Sequence, residues 1–261
     1  MIFTFCAKSD PGRARDNNED AMAFDESVRL AVLADGMGGY NAGEIASGMA
    51  TAFIKSELSR WLAEAGRSAS VREIRRAMEI CVDNANLSIF NAANSNPHYA
   101  GMGTTLVVGV FQDNRLLLGH IGDSRCYRYR AGELVQITKD HSLLQEQIDA
   151  GLLTPAQAAL SSNKNLVTRA LGVEDGVMLE LNEHHVEAGD LYLMCSDGLS
   201  DMVDDATITR IVQGDETLEH RSDLLVAAAN ENGGRDNITV MLVQVSAESE
   251  KRGLISRLLG K

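Results

Sequence analysis

The residues with chemical potential in this chain are aspartates set beside glycine or asparagine. Asp35 opens Asp35-Gly36-Met37-Gly38-Gly39, Asp197 stands in Ser196-Asp197-Gly198, and Asp236 lies in Arg235-Asp236-Asn237. Asp123 sits in Gly122-Asp123-Ser124-Arg125, while Glu19 and Asp20 follow Asn18. A carboxylate at the end of a strand, followed by a glycine without a Cβ, lets both the side chain and a nearby carbonyl approach an ion. Each dipeptide alone is ordinary turn chemistry. Gathered together, such carboxylates repel one another unless cations lie among them, and oxygen-only donors select Mg²⁺, Mn²⁺ or Ca²⁺ rather than zinc.

Competing chemistries fail on spacing. A thiol phosphatase needs an arginine six positions after its cysteine, but Asp201 stands there after Cys195, and Gly12, Leu87 and Gly132 follow Cys6, Cys81 and Cys126. No Asp-x-Asp offers an aspartyl-phosphate nucleophile and no Gly-Lys-Ser/Thr a P-loop. His98, His120, His184, His185 and His220 show no ligand spacing and read as surface or satisfied core residues.

The elements that must carry the acids are apolar runs. Val28 to Asp35, Arg115 to Asp123 and Leu191 to Asp197 run into an acid, and Ile238 to Val245 starts just after one. They read as buried strands whose ends meet at a common rim. Gly101 to Phe111 and Cys126 to Ile137 add strands, the second turning at Ala131-Gly132. Helical spacing covers about 43–62, 71–93, 204–213 and 219–231. Helices in pairs between groups of strands predict an α+β fold, with helix pairs covering two packed, mainly antiparallel sheets. Residues 141–172, polar and broken at Thr154-Pro155 and Ser161-Ser162-Asn163, read as a small helical flap beside the rim. The basic and apolar stretch at 248–261 reads as a short frayed tail.

The 261 residues carry a formal net charge of −13, with apolar residues at 44%. A core of ordinary size is available, and the charge disfavours a phosphate-backbone partner, so no nucleic acid is expected. Four dispersed cysteines suit a reducing compartment, and no segment reads as a signal or a transmembrane span. A cytoplasmic location follows as an expectation.

In order along the chain, Arg15-x-x-Asn18-Glu19-Asp20, Leu33-Ala34-Asp35-Gly36-Met37-Gly38-Gly39, Gly101-Met102-Gly103-Thr104-Thr105, Gly119-His120-Ile121-Gly122-Asp123-Ser124-Arg125, Thr138-Lys139-Asp140-His141-Ser142, Cys195-Ser196-Asp197-Gly198-Leu199 and Gly234-Arg235-Asp236-Asn237-Ile238-Thr239 are spread over about residues 3–246. This pattern resembles the PPM-type, or type-2C-like, metal-dependent protein serine/threonine phosphatases of the bacterial single-domain form. The resemblance implies one phosphatase domain over residues 1–247 and two or three Mg²⁺ or Mn²⁺ ions. Asp35 would bridge two metals, Asp197 and Asp236 would complete the first, and the Gly36 carbonyl would ligate the second. Glu19 and Asp20 would stand nearby or act through water, and Asp123 with Asp197 would hold a third. Arg15 would bind phosphate, which its planar fork suits.

Some relatives place a histidine after the Asp-Gly pair, where this chain has Met37. That leaves the leaving-group acid to water on a metal or to His141, whose other reading is a backbone partner. The implied partners are phosphorylated proteins, with a cognate Ser/Thr kinase and a forkhead-associated-domain protein among them, acted on by a monomer. The competing readings are a phosphatase-like binding scaffold without turnover and a hydrolase of small phosphorylated metabolites.

Overall fold

Runs that are apolar at every position become strands covered on both faces. The computed structural model describes residues 1–38, 42–66, 68–158 and 166–248. Gly39, the Ser161-Ser162-Asn163 cluster and the tail beyond 248 lie outside the described residues.

One sheet is five-stranded, in the order β1 (Ile2–Asp10), β11 (Ile238–Ser246), β10 (Leu191–Cys195), β7 (Arg125–Arg130) and β8 (Glu133–Gln136). The other is six-stranded: β2 (Asp20–Asp25), β3 (Leu30–Met37), β5 (Leu106–Gln112), β6 (Arg115–Ile121) and β9 (Glu180–His185) follow one another, and the two-residue β4 (Gly103–Thr104) pairs with β3. Neighbouring strands are antiparallel throughout.

Alternation assigns each face. Leu30, Val32 and Ala34 of β3 pack under α1 (Gly43–Ala65) and α2 (Val71–Ser95), whereas Ala31 and Leu33 meet Met241, Val243 and Val245 of β11 between the sheets. Ile238, Val240 and Leu242 of β11 turn outward to α6 (Asp205–Val212) and α7 (Leu218–Glu231). Three stacked cores give the α-β-β-α order expected of the α+β reading. Helix starts are capped by the chain itself: the Ser70 hydroxyl accepts from Glu73 N, and Glu73 returns a carboxylate to Ser70 N.

The structure departs from expectation at the rim and at the sheet edges. The β3 strand runs two residues past Asp35, because Gly36 and Met37 pair with Thr104 and Gly103. The β6 and β10 strands instead stop at Ile121 and Cys195, so Asp123 lies in a turn and Asp197 opens the short helix α5 (Asp197–Ser200). Strands β1, β2 and β9 have no uninterrupted apolar run, since each is an edge strand with a partly exposed face. In the flap region α3 (Leu143–Asp149) and α4 (Pro155–Ala158) are helical, and the chain returns where Val167 bridges Ser142 and Leu171 bridges Thr104. Among the described residues no helix is long and apolar enough to cross a membrane, and the four cysteines are free.

Candidate metal centre

The sheet rim brings the expected acids into one cleft of about 250 Å³, lined by Arg15, Glu19, Asp35, Gly36, Met37, Asp123, Asp197 and Asp236 among others. Asp20 stands behind its wall, opposite Asp35 in the β2–β3 register. His141 lines neither this cleft nor the adjoining hollow of about 280 Å³, which shares Asp123 and Asp197 with it and reaches Leu144 and Ile148 of α3.

Backbone geometry fixes the acids. Thr105 Oγ accepts from Asp35 N at 2.9 Å, Thr105 N donates to Asp35 O at 2.8 Å, and the Thr104 hydroxyl donates to the same carbonyl at 2.8 Å. Gly36 is compulsory: a Cβ there would lie 2.2 Å from Gly43 O and 2.5 Å from Glu19 O. Gly198 is equally confined, its Cβ falling 2.0 Å from Asn237 O. The Asp-Gly pairs thus serve close backbone approach, a reason that the dipeptides alone do not reveal.

Supporting residues not singled out from the sequence complete the frame, though all lie inside the motif blocks. Ser196 Oγ donates to Asp20 Oδ2 at 2.8 Å and accepts from Thr239 N at 3.0 Å. Asn237, 4% exposed, accepts from Glu19 N at 2.7 Å and donates to Pro11 O at 3.0 Å and Asn17 O at 2.8 Å. It therefore staples the loop that carries Arg15 to the segment that carries Asp236, just before β11. Asn237→Ala leaves these buried groups unpaired and is expected to cost about 2–4 kcal/mol in urea unfolding. A loss below about 1 kcal/mol would show the staple to be dispensable.

The electrostatics are those of a cation site. Burial, then Asp20, Asp197, Asp123 and Asp236, hold the Asp35 carboxyl well above the usual range. Asp197 is raised in the same way by burial and by Asp123, Asp236, Asp201 and Asp20. Asp20 and Asp123 are each pushed up to about 6, chiefly by burial, and burial also raises Glu19. Arg15 answers one of these charges, with Nη2 2.8 Å from Asp236 Oδ2. Asp20 Oδ1 and Asp197 Oδ1 are buried without any hydrogen-bond partner. Oxygen atoms left bare among mutually repelling carboxylates fit hard divalent cations, which would satisfy both defects together.

A family profile described as protein phosphatase 2C matches residues 13–242. The chain belongs to the protein phosphatase 2C family. This phosphatase 2C chain is 41% identical over 248 residues to the serine/threonine protein phosphatase PstP of Mycobacterium tuberculosis, covering 94% of itself and 45% of that relative. It thus spans under half the length of that protein. It is 35% identical over 240 residues to the serine/threonine phosphatase stp of Listeria innocua, covering 91% of itself and 94% of the relative. A crystal structure of the PstP catalytic domain in complex with two manganese ions superposes with a TM-score of 0.80 at 38% identity, over 94% of this chain and 99% of that one.

Proposed function

We propose that this phosphatase 2C chain hydrolyses phosphoserine and phosphothreonine in proteins, using Mg²⁺ or Mn²⁺, and that it acts in the cytoplasm to reverse a serine/threonine kinase. The observation that carries this reading is the buried carboxylate cluster with unpartnered Asp20 and Asp197 oxygens, in a cleft with Arg15 on its wall. Asp35, Asp197, Asp236 and the Gly36 carbonyl would hold two ions, with Glu19 and Asp20 supporting them, and Asp123 with Asp197 would hold a third. Such ions supply Lewis-acid chemistry, activating water and neutralising charge on phosphoryl oxygens. The manganese-bound PstP domain supports the ion count.

The chain's own residues do the rest. Arg15, paired with Asp236 here, turns its fork to the phosphoryl dianion once that carboxylate is engaged elsewhere. The Thr104 and Thr105 clamp keeps the Asp35 backbone from shifting under a change of charge. The adjoining hollow beside α3 gives the polypeptide around the phosphorylated residue somewhere to lie, which favours a protein over a small metabolite. The cognate kinase and its substrates, a forkhead-associated-domain protein among them, are the partners this reading names. A binding scaffold without turnover would keep the cost of the bare carboxylates and gain nothing from them.

The test is hydrolysis of p-nitrophenyl phosphate and a phosphothreonine peptide by the full chain after EDTA treatment and Mn²⁺ add-back. Activity is expected only with metal, and Arg15→Ala is expected to lower kcat/KM by about 10–100-fold, largely through KM. Folded protein that stays inactive with every divalent cation would sink the enzyme reading.

A further inference from the structure

His141 is buried beside the cleft without lining it, and two of its polar contacts run to the residue before Asp123. Its Nδ1 accepts from Gly122 N at 3.1 Å, and its own backbone N–H donates to Gly122 O at 2.9 Å. Both polar groups of the residue before Asp123 are thus gripped by one residue. A backbone N–H can only donate, so Nδ1 is the acceptor and the ring proton sits on Nε2, which donates to Glu180 Oε2 at 3.1 Å. The Arg169 guanidinium lies 3.5 Å from the same nitrogen.

This tautomer excludes another use of the cluster. Donor atoms of His120, His141 and Glu180 lie within 4.8 Å of one another, a spacing compatible with a metal ion. Yet His141 has no lone pair left to ligate one while Gly122 holds Nδ1, and His120 stacks on its ring at 4.6 Å and 16° rather than converging with it. His120 Nε2 is within hydrogen-bond distance of Lys139 O, at 2.8 Å.

The far side of the turn is gripped as well. Gly122, at φ +97°, would place a Cβ 2.7 Å from Thr105 Cγ2, and Ser124 Oγ lies 2.8 Å from Thr105 Oγ1, which also receives Asp35 N. Asp123 is therefore suspended between Thr105 and His141. The His141 carbonyl in turn accepts from Thr168 N at 2.8 Å, where the chain returns from the flap region.

We propose that His141 is a positioning residue for Asp123, aiming its carboxylate through the two Gly122 hydrogen bonds, with Glu180 fixing the imidazole tautomer. The proposal rests on the reading of Asp123 as a ligand to a third cation. Outer hydrogen-bond partners of this kind are worth about 10–100-fold in metal affinity.

The experiment is a Mn²⁺ titration of the EDTA-stripped full chain, followed by calorimetry and by the electron paramagnetic resonance of free Mn²⁺. Asp123→Ala is expected to remove the weakest class of sites. His141→Ala should weaken that same class about 10–100-fold and leave the tighter sites within about twofold. His141→Asn, whose Oδ1 can take the Gly122 N–H, should recover to within about threefold of wild type. Glu180→Ala, at a partly exposed position, should shift the same class in the same direction by about threefold.

Isotherms of His141→Ala and Glu180→Ala that match wild type would overturn the proposal, as would His141→Asn binding as poorly as His141→Ala. If Asp123→Ala itself matches wild type, the ligand reading of Asp123 fails and takes the proposal with it. If only the His141 and Glu180 variants match, the ligand reading stands and the positioning role falls.

Discussion

Asp35→Asn abolishes metal-restored hydrolysis, by about 10³-fold or more, and at the same time makes the metal-free protein more stable. The first effect follows from the place of Asp35 at the centre of the cluster, where Asp20, Asp123, Asp197 and Asp236 all raise its carboxyl. A neutral amide is a far weaker ligand for hard divalent ions than a carboxylate, and a 10³-fold loss corresponds to about 4 kcal/mol of barrier. The second effect has the same cause with the opposite sign. Without cations, Asp35 is a buried acid among acids, and an isosteric amide relieves that repulsion while its NH₂ can donate to Asp20 or Asp197. A gain of about 1–3 kcal/mol is expected in thermal or urea unfolding in EDTA. A variant that is inactive because it is unfolded would show the reverse, and a variant that retains Mn²⁺-dependent turnover would remove Asp35 from the centre.

The metal-free protein should also lose stability as pH rises from about 5 to about 8, with Mn²⁺ reversing the trend. The sign follows from proton counting. Asp20 and Asp123 are raised to about 6, and Asp35 and Asp197 are raised further, so between the ordinary carboxylate range and those values the folded chain binds more protons than the unfolded one. Stability then falls with pH, and Asp123 alone contributes about 3 kcal/mol over its whole titration, of which roughly half falls between about pH 5 and about pH 8.

His141 and His184, lowered by burial, act the other way: their contribution is present above about 6.5 and lost below it. The aspartates are raised by neighbouring carboxylates as well as by burial and outnumber the two histidines, so the aspartates dominate. Cations bind only the deprotonated carboxylates, so the stabilisation by Mn²⁺ grows with pH, at about 2.7 kcal/mol for each site held at 100 times its Kd. Melting curves in EDTA and in Mn²⁺ at both pH values decide the matter. An EDTA curve that rises with pH would mean that the cluster is not mutually repulsive.

Much of this was readable along the chain, because the signals were local. Residues 30–34 of β3 and 240–243 of β11 are apolar at consecutive positions, which only a strand covered on both faces requires, and the helices α1, α2, α6 and α7 follow from spacing. The acids Asp35, Asp123, Asp197 and Asp236 stood out because each has a glycine or asparagine beside it. The edge strands β1, β2 and β9 were not legible, since their partly exposed faces carry polar residues that resemble loops.

What the amino-acid sequence determined by itself is the inventory: which acids, on which kind of element, with which backbone freedom beside them. What only the tertiary structure decided is who meets whom. Asp20 faces Asp35 through strand register, Arg15 reaches Asp236 across nearly the whole chain, and Asn237 staples the Arg15 loop in place. His141 grips Gly122 from behind instead of entering the cleft. Local periodicity reports which face of an element is buried, but charge repulsion, raised carboxyls and bare oxygens arise only when register and sheet packing bring distant residues within a few ångströms.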